Sequence, residues 1–301
     1  MNSQKARNWK RSIPLLIMFT PVILYYILFK FLPMFGIVMA FQDFNIRKGF
    51  FGSPFVGMKY FKLIFSTPAT MQVIKNTLFL GIVRFLIGIP FPIILALMLN
   101  EVKNQRFKKT MQTFVYLPHF LAWTIVGGMV VNLFSQSTGI VNTITEALTG
   151  DTYAYLYNEK SWLAIYFGSS IWKETGFAAI IYLAALTGVD PELYDAAAID
   201  GASKLKQIFH VTLPAIAPTI AINMILQVGS SVNVGFDQIY VLTNPTVNRI
   251  SDVISTYVYR VGLEQMQFSL TSAMGLFQSV LGLVLVVMTN RMAKRADASL
   301  W

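Results

Sequence analysis

The chain has 301 residues, of which 55% are hydrophobic and 13% are charged, and its mean hydropathy is +0.56. A soluble chain of this length would form about two domains, but this balance is typical of a membrane protein. The absence of cysteine excludes disulfides and thiolate metal sites, and two histidines are too few for a His-rich metal site. The net charge of +10 would suit nucleic-acid binding, but the positions of the basic residues argue for another role.

The first 12 residues are polar and basic, and a long apolar run follows from residue 13 to about residue 40. This run is too long for the core of a signal peptide and lacks a small-residue cleavage site, so it predicts an uncleaved first span. Five further apolar runs each reach the roughly 20 residues that a helix needs to cross a membrane. These runs cover about residues 73–100, 111–135, 162–189, 213–234 and 268–290.

The predicted fold is therefore an all-α integral membrane protein with six transmembrane helices. Residues 1–12 form an N-terminal tail, residues 13–72 the first span and an outer segment, residues 73–290 a core of five spans, and residues 291–301 a C-terminal tail. Residues 137–160 are expected to form a short amphipathic outer helix, because apolar residues recur there at helical spacing. Those residues are Ile140, Val141, Ile144 and Leu148.

Basic residues are concentrated in the two tails and in the loops after the second and fourth spans. Six spans place both termini on one side, and the positive-inside rule makes that side the cytoplasm. The excess of positive charge is thus a signal for topology and for lipid headgroups, and no nucleic-acid partner is expected. The basic residues assigned to the cytoplasmic side are Lys5, Arg7, Lys10, Arg11, Lys103, Arg106, Lys108, Lys109, Lys204, Lys206, Arg291, Lys294 and Arg295.

No motif for catalysis occurs in the chain. It has no G-x-x-x-x-G-K-S/T loop for nucleotide phosphates, no glycine-rich dinucleotide motif and no H-E-x-x-H metal motif. His119 and His210 are isolated in the sequence, and an isolated histidine is usually structural. We therefore expect a non-enzymatic protein that binds no metal and no cofactor of its own.

The polar stretch of residues 190–214, here called the elbow, lies between the fourth and fifth predicted spans. Asp190 can cap a helix that has Pro191 at its first position, and Glu192 in the first turn is favourable for the helix dipole. Three alanines carry that helix, and Gly201 suits the position that ends it. The elbow is predicted to be a helix–turn–helix at the membrane surface, with a face of small residues that another protein can approach.

The elbow resembles the signature loop of bacterial ABC importer permeases. In that family Glu-Ala-Ala is followed after three residues by Gly, and after nine more by Ile-x-Leu-Pro. Here Asp195-Ala196-Ala197 is followed by Gly201 and then by Val211-Thr212-Leu213-Pro214 in the same register. The two departures, Asp at 195 and Val at 211, keep the charge and the shape. The resemblance implies the type I importer permease fold with six spans and both termini in the cytoplasm.

Looser motifs outside the elbow are similar to maltose-type sugar permeases, closest to the oligosaccharide and polysaccharide-fragment branch. They are Gly57-Met58-Lys59-Tyr60-Phe61, Asn76-Thr77, Phe236-Asp237-Gln238-Ile239-Tyr240-Val241-Leu242-Thr243 and Asn290-Arg291. The resemblance implies that the chain forms half of the translocation path of an ATP-driven carbohydrate importer in the bacterial cell membrane. The implied partners are a second permease, two ATPase subunits that bind ATP and Mg, and an extracellular solute-binding protein.

The same resemblance assigns the elbow to coupling with the ATPases. Its first helix is expected to dock in a groove of an ATPase subunit, with a glycine bend behind it. The residues assigned to this role are Glu192, Asp195, Ala196, Ala197, Asp200, Gly201, Leu213 and Pro214.

Ionisable and aromatic residues in and near the spans are the candidates for the sugar path, because a charge in hydrocarbon usually faces a cavity or a partner. The candidates are Arg84, Trp123, Trp172, Lys173, Glu174, Tyr182, Phe236 and Tyr240. Two interpretations stay open for the charges: they line a polar path, or they pair with each other, with another subunit or with backbone. The aromatic rings either stack on sugar or belong to helix packing and the membrane interface.

The alternative function is a self-sufficient secondary transporter or channel that uses Lys173 and Glu174 as coupling groups. The chain shows no inverted repeat, which argues against this alternative, and the elbow favours the importer. The sequence does not name the sugar. A cationic path through Arg84 and Lys173 would suit an acidic saccharide such as a uronate oligomer, and neutral sugars are equally open.

Overall fold

The computed structural model describes residues 2–294 of the chain, and within them the side chains of residues 13–291 and of residue 294. This part of the chain is α-helical, with one isolated extended pairing between Gln42 and Phe55. The longer α-helices are α1 (Asn2–Tyr26), α2 (Lys59–Ser66), α3 (Pro68–Gly88), α4 (Pro90–Glu101), α5 (Gln105–Tyr116), α6 (Trp123–Phe134), α7 (Ile140–Thr149), α8 (Glu159–Thr187), α9 (Pro191–Ile199), α10 (Leu213–Ser231), α11 (Phe236–Leu242) and α12 (Phe268–Lys294). The predicted all-α fold is confirmed.

Four stretches of helix are long and apolar enough to cross a membrane: Ile13–Phe41, Pro68–Glu101, Lys204–Ser231 and Phe268–Arg291. They match the first, second, fifth and sixth predicted spans. Two bent helix pairs match the third and fourth, so the described residues hold up to six spans when each pair counts as one. α8 is long enough by itself at 29 residues, but serine, lysine and glutamate near its middle make it less apolar.

The third predicted span is broken rather than straight. It is divided into α5, a 3₁₀ turn at Leu117–Phe120, and α6, and its two parts meet at an angle of 99°. Pro118 lies at the break and has no N–H to bond to the preceding turn, and Leu121 and Ala122 are extended. A break of this kind frees backbone carbonyls, which inside a membrane need partners from elsewhere in the protein.

Two wide π-helical turns precede Leu-Pro pairs. One, at Ile27–Phe31, lies in the first span before Leu32-Pro33, and the other, at Ile208–Thr212, leads from the elbow into Leu213-Pro214. In both turns the leucine N–H bonds to the carbonyl five residues back instead of four. A proline ring clashes with the carbonyl four residues back in a regular α-helix, and the wider turn accommodates it.

The helices pack around three apolar clusters, and α8 lies at the centre of the bundle because it contributes to two of them. Trp162 and Tyr166 pack into one cluster with α3 and α11, and Tyr182 packs into another with α4 and α10. The first span differs, since residues 13–35 are exposed over their whole length. Among the described residues of this span, its last part, the 3₁₀ helix Phe35–Phe41, packs against α12 and α2.

α8 connects two ends of the bundle, which we call the far end, at Glu159, and the elbow end. At the far end the Arg249 guanidinium forms an ion pair with Glu159, with 2.6 Å between Nη2 and Oε2. Asn76 of α3 donates hydrogen bonds to the carbonyls of Arg249 and Asp252, each at 2.9 Å. These bonds hold the segment after α11 against α3 and α8.

Candidate translocation cavity and coupling elbow

A cavity of about 350 Å³ lies between α3, α8 and α10, about halfway along α8. Two of these helices, α3 and α10, approach closely beside it: a Cβ added to Gly81 of α3 would lie 2.2 Å from the Ser231 carbonyl oxygen. Its polar lining residues are Arg84, Ser170, Glu174, Thr175, Gln227, Ser230, Ser231 and Asn233. A polar space inside an apolar bundle suits water or a polar ligand.

Arg84 of α3 is the cationic side chain of this cavity. Its Nη1 atom lies 3.0 Å from the position that a Cβ on Gly235 would occupy, so the glycine leaves room for the guanidinium. None of the ion pairs among the described residues involves Arg84. A guanidinium without a carboxylate partner can bind an anionic ligand through two parallel hydrogen bonds.

Lys173 and Glu174 of α8 face the break between α5 and α6, where they meet His119. The buried Lys173 Nζ donates a hydrogen bond to the His119 carbonyl at 2.7 Å and lies 3.4 Å from Glu174 Oε1. Glu174 Oε2 lies 2.8 Å from His119 Nδ1. We call these three residues the brace. Of the two interpretations of the charged residues, Lys173 fits pairing with backbone, because it bonds a carbonyl next to the break. Glu174 fits both, since it pairs with Lys173 and also lines the cavity.

Aromatic rings surround the brace. The His119 ring stacks on Phe177 with 4.0 Å between centroids, and Lys173 Nζ lies 5.2 Å from the Trp123 ring centroid. Trp123 therefore contacts the buried cation and is not part of the cavity wall. Sequence reasoning treated His119 as isolated, because its partner Glu174 is 55 residues away and only the folded chain brings them together.

The other predicted aromatic path residues lie outside the cavity. Trp172 is half-exposed on α8, and Tyr182 is buried in an apolar cluster where its hydroxyl has no hydrogen-bond partner among the described residues. Phe236 and Tyr240 of α11 stack on each other at 5.1 Å, and both rings contact Tyr259. Of the eight predicted path residues, the cavity wall contains the arginine and the glutamate described above.

Gln238 of α11 is a residue beside the cavity that sequence reasoning did not select. It is fully buried, and its Nε2 donates to the Tyr166 carbonyl at 2.8 Å and to Ser169 Oγ at 3.1 Å. Its Oε1 accepts a hydrogen bond from Ser170 Oγ at 2.9 Å. These bonds fix α11 to α8. The family-like motif of residues 236–243 contains Gln238 and was the sequence feature that could have drawn attention to it, but a sequence motif does not show that the amide is buried.

The backbone of the elbow forms as its sequence predicts. Asp190 caps α9 by accepting a hydrogen bond from a first-turn N–H at 3.0 Å. At the other end the Ala202 N–H bonds to the Ala197 carbonyl at 2.9 Å, and the Gly201 N–H bonds to the Ala198 carbonyl at 3.0 Å. Gly201 has φ +73°, which glycine adopts without strain. This pair of bonds is the Schellman motif that ends α9.

The elbow exposes a face that is both acidic and apolar. Of the predicted coupling residues, Glu192, Asp195, Ala196, Asp200, Gly201 and Pro214 are exposed, and Ala197 and Leu213 are half-buried. Leu213 packs against the apolar core at the start of α10. Sequence reasoning missed the large apolar side chains that are exposed on the same segment, namely Leu193, Ile199, Leu205 and Phe209.

One polar contact holds the elbow together and another attaches it to the bundle. Within the elbow, the Tyr194 hydroxyl lies 3.1 Å from Thr212 Oγ1, which joins α9 to the wide turn before α10. Lys204 Nζ lies 3.8 Å from Glu101 Oε2 at the end of α4. A displacement of α9 therefore reaches the turn that leads into α10 through a hydrogen bond as well as through the chain.

Comparison with known sequences gives a family and close relatives. Residues 88–298 match the family model described as the binding-protein-dependent transport system inner membrane component. The chain is 42% identical to Protein LplB of Bacillus subtilis (strain 168), over 99% of this chain and 95% of that protein. It is 43% identical to the polygalacturonan/rhamnogalacturonan transport system permease protein YteP of the same organism, over 93% of this chain and 88% of that protein.

Solved structures match along nearly the whole chain. One is a chain from the crystal structure of a bacterial ABC transporter involved in the import of the acidic polysaccharide alginate, with a TM-score of 0.90, 39% identity, and coverage of 97% of this chain and 99% of that chain. Another is a bacterial alginate ABC transporter in complex with an alginate pentasaccharide-bound periplasmic protein, with a TM-score of 0.89, 39% identity, and coverage of 97% of this chain and 98% of that chain. The predicted permease fold is confirmed, and the orientation of the termini stays a prediction. The chain belongs to the family of binding-protein-dependent transport system inner membrane components.

Proposed function

We propose that this chain is a transmembrane subunit of an ATP-driven importer that carries an acidic oligosaccharide across the bacterial cytoplasmic membrane. Family membership supports the importer, and relatives named for polygalacturonan and alginate transport support the sugar. An acidic sugar is proposed because Arg84 lines the cavity and forms none of the ion pairs among the described residues. A sugar carboxylate matches the paired donors of its guanidinium.

The cavity is proposed to bind both the carboxylate and the hydroxyl groups of the sugar. Arg84 binds a carboxylate, and the amides of Gln227 and Asn233 exchange hydrogen bonds with hydroxyls. Glu174 also lies on the wall, but its carboxylate is held by the lysine and histidine of the brace. Its negative charge is therefore compensated, and the cavity stays attractive to an anion.

The aromatic cluster of Phe236, Tyr240 and Tyr259 is proposed to receive sugar at the far end. The rings offer faces against which the C–H groups of a saccharide can stack. Trp123 and Lys173 act indirectly, by holding the broken span in place. Trp172 and Tyr182 are outside the cavity wall, and for them we propose packing roles.

The proposed assembly contains this chain, a second permease, two ATPase subunits and an extracellular solute-binding protein. ATP and Mg are bound by the ATPase subunits. Both termini and the elbow face the cytoplasm, and the far end faces the binding protein. Support for this orientation comes from the concentration of lysine and arginine at the elbow end, in the segments 103–109 and 204–206.

Coupling is proposed to pass through α9. Its exposed acidic and apolar side chains dock on an ATPase subunit, with Asp195 facing a basic residue and Ile199 filling apolar space, and Phe209 of the wide turn before α10 adds a further apolar contact. α8 ends at the elbow and α10 begins there, and both helices line the cavity. Movement of the ATPases therefore reaches the sugar through two helices at once.

The test is reconstitution of the transporter with its native partners into proteoliposomes. ATP-dependent uptake is measured with an oligogalacturonate and with a neutral oligosaccharide of the same length, each presented by the co-purified binding protein. We expect oligogalacturonate uptake to exceed neutral uptake by about tenfold or more. Equal uptake would refute the acidic preference. Uptake that an ion gradient drives without any ATPase subunit would refute the importer and support a secondary transporter.

A further inference from the structure

The segment of residues 42–58, which we call the far-end loop, is tightly folded. The Asp43 N–H bonds to the Pro54 carbonyl at 2.9 Å, and the Asn45 N–H bonds to Ser53 Oγ at 3.0 Å. Ser53 Oγ in turn donates to the Gly49 carbonyl at 2.6 Å. These internal bonds hold the backbone of its tip, residues 46–51, in place relative to the rest of the loop.

Aromatic contacts place the far-end loop at the level where two spans end. Phe55 stacks on Phe41, the last residue of the first span, with 6.4 Å between ring centroids. Phe44 packs edge-on against Phe268, the first residue of α12, and its N–H bonds to Ser269 Oγ at 2.9 Å. Since Phe41 and Phe268 lie at the ends of two candidate spans, we expect the loop to lie near the membrane surface.

The tip of the far-end loop exposes large apolar side chains. Ile46 is 71% exposed and Phe51 is fully exposed, and Phe55 nearby is 73% exposed. Leaving such side chains in water costs about 1.5–3 kcal/mol for each, relative to burial. Because the loop lies at the ends of two candidate spans, lipid is an apolar phase within its reach.

Two cations lie between the apolar residues of the tip. Arg47 and Lys48 are exposed, and no ion pair among the described residues involves either of them. The nearby carboxylate of Asp43 is engaged by Tyr60 and Lys59, whose hydrogen bonds lower its pKa and keep it ionised. The tip thus presents two uncompensated positive charges beside an isoleucine and a phenylalanine.

We propose that the tip of the far-end loop anchors the protein in the membrane surface at that end. Ile46 and Phe51 insert among the acyl chains, and Arg47 and Lys48 bind the phosphates of anionic phospholipid headgroups. Apolar and aromatic side chains interleaved with Lys and Arg are the composition that partitions into a membrane interface. Each cation near an anionic lipid surface adds to the attraction. The anchor fixes the depth of the first span, which has few contacts with the rest of the bundle.

The first experiment measures the depth of the tip. The chain has no cysteine, so a spin label at Phe51→Cys is unique within it. The complete transporter is placed in nanodiscs of phosphatidylcholine with phosphatidylglycerol, and the label is tested for collision with oxygen and with a water-soluble nickel chelate. A label at Asp151→Cys, in an exposed polar loop at the same end, is the control. We expect the label at residue 51 to collide more often with oxygen, which concentrates in lipid, and the label at residue 151 to collide more often with the water-soluble nickel chelate.

The second experiment tests the headgroup contact. The double variant Arg47→Glu, Lys48→Glu is compared with Arg47→Gln, Lys48→Gln for phosphatidylglycerol retained per protein after extraction from mixed vesicles. We expect retention to fall by about threefold or more with the reversed charges and less with the neutral ones. Unchanged retention would overturn the headgroup assignment. A label at 51 that is as accessible to nickel as the control, or that is shielded only when the binding protein is added, would overturn the membrane anchor.

Discussion

Arg84 is a guanidinium that faces a polar cavity and forms none of the ion pairs among the described residues. If it binds a sugar carboxylate, Arg84→Gln removes a charge-assisted bond worth about 1.5–3 kcal/mol, and we expect uptake of an acidic oligosaccharide to fall about tenfold to a hundredfold. Arg84→Lys keeps the charge but loses the paired donors, so uptake should be intermediate. The measurement is ATP-dependent uptake in proteoliposomes.

Assembly must be intact for that comparison to be informative. Co-purification of the partner subunits with each variant is the control, since Arg84 lies far from the elbow. Wild-type uptake by Arg84→Gln would contradict the assignment of the cavity to an acidic sugar.

Tyr182 is 1% exposed in an apolar cluster, and within the part of the chain that the structure describes its hydroxyl has no hydrogen-bond partner. Because an unsatisfied buried hydroxyl is costly, Tyr182→Phe should leave the free energy of unfolding unchanged or raise it by about 1 kcal/mol. Tyr182→Ala removes the ring and should cost about 3–5 kcal/mol. Thermal unfolding of the purified transporter measures both. Loss of uptake in a stable Tyr182→Phe variant would show that the hydroxyl contacts substrate after all.

At the scale of single helices, the crossing of α8 over α5 depends on a glycine. A Cβ added to Gly176 would lie 1.8 Å from the Val115 carbonyl oxygen, so Gly176→Ala must separate the two helices next to the brace. We expect a loss of about 3 kcal/mol or more in the free energy of unfolding. Gly168 is the matched control on the same helix, because a Cβ there meets no atom within 4 Å. Gly168→Ala should be neutral or stabilising by up to about 1 kcal/mol.

Equal unfolding temperatures of the two glycine variants would mean that α5 and α8 are not in contact at this point. Such a result would also remove the support for the brace, which spans the same crossing.

The elbow helix α9 makes few contacts with the bundle, so its exposed side chains can be changed without damaging the fold. Asp195→Arg should alter the free energy of unfolding by less than about 0.5 kcal/mol, because the residue is exposed. The same change should weaken association with the ATPase subunits about tenfold or more, since it reverses the charge at the proposed contact. Asp151→Arg, an exposed change at the far end, is the control. Association is measured by titrating the purified ATPase against the permeases.

At the scale of the whole molecule, the elements that depend on local chemistry could be predicted from the sequence. The apolar runs predict the spans, and the cap at Asp190 and the glycine at 201 predict both ends of α9. The break in the third span could not be predicted in the same way, although Pro118 marks it. It persists because Lys173, on another helix, bonds the carbonyl of His119.

The residues of the cavity wall could not be predicted from the sequence either. α8 is apolar around most of its circumference, so periodicity does not show which side faces the cavity and which faces the core or lipid. For this reason Glu174 and Tyr182 are both candidates for the path on sequence alone, whereas the fold places one on the cavity wall and the other in an apolar cluster. Knowledge of the neighbouring helices is needed to separate them.

The brace lies at the midpoint of α8, with Lys173 14 residues from either end of the Glu159–Thr187 helix. At 1.5 Å per residue the helix is about 43 Å long, so each arm measures about 21 Å. A rod fastened at its middle acts as a lever, and a tilt of about 10° would move each end by about 4 Å in opposite directions. A push on the elbow in one direction would therefore swing the far-end terminus of α8 the other way, together with α11 and the Arg249 segment that are bonded to it. Such a movement is the geometry that alternate opening of the two mouths of a path requires.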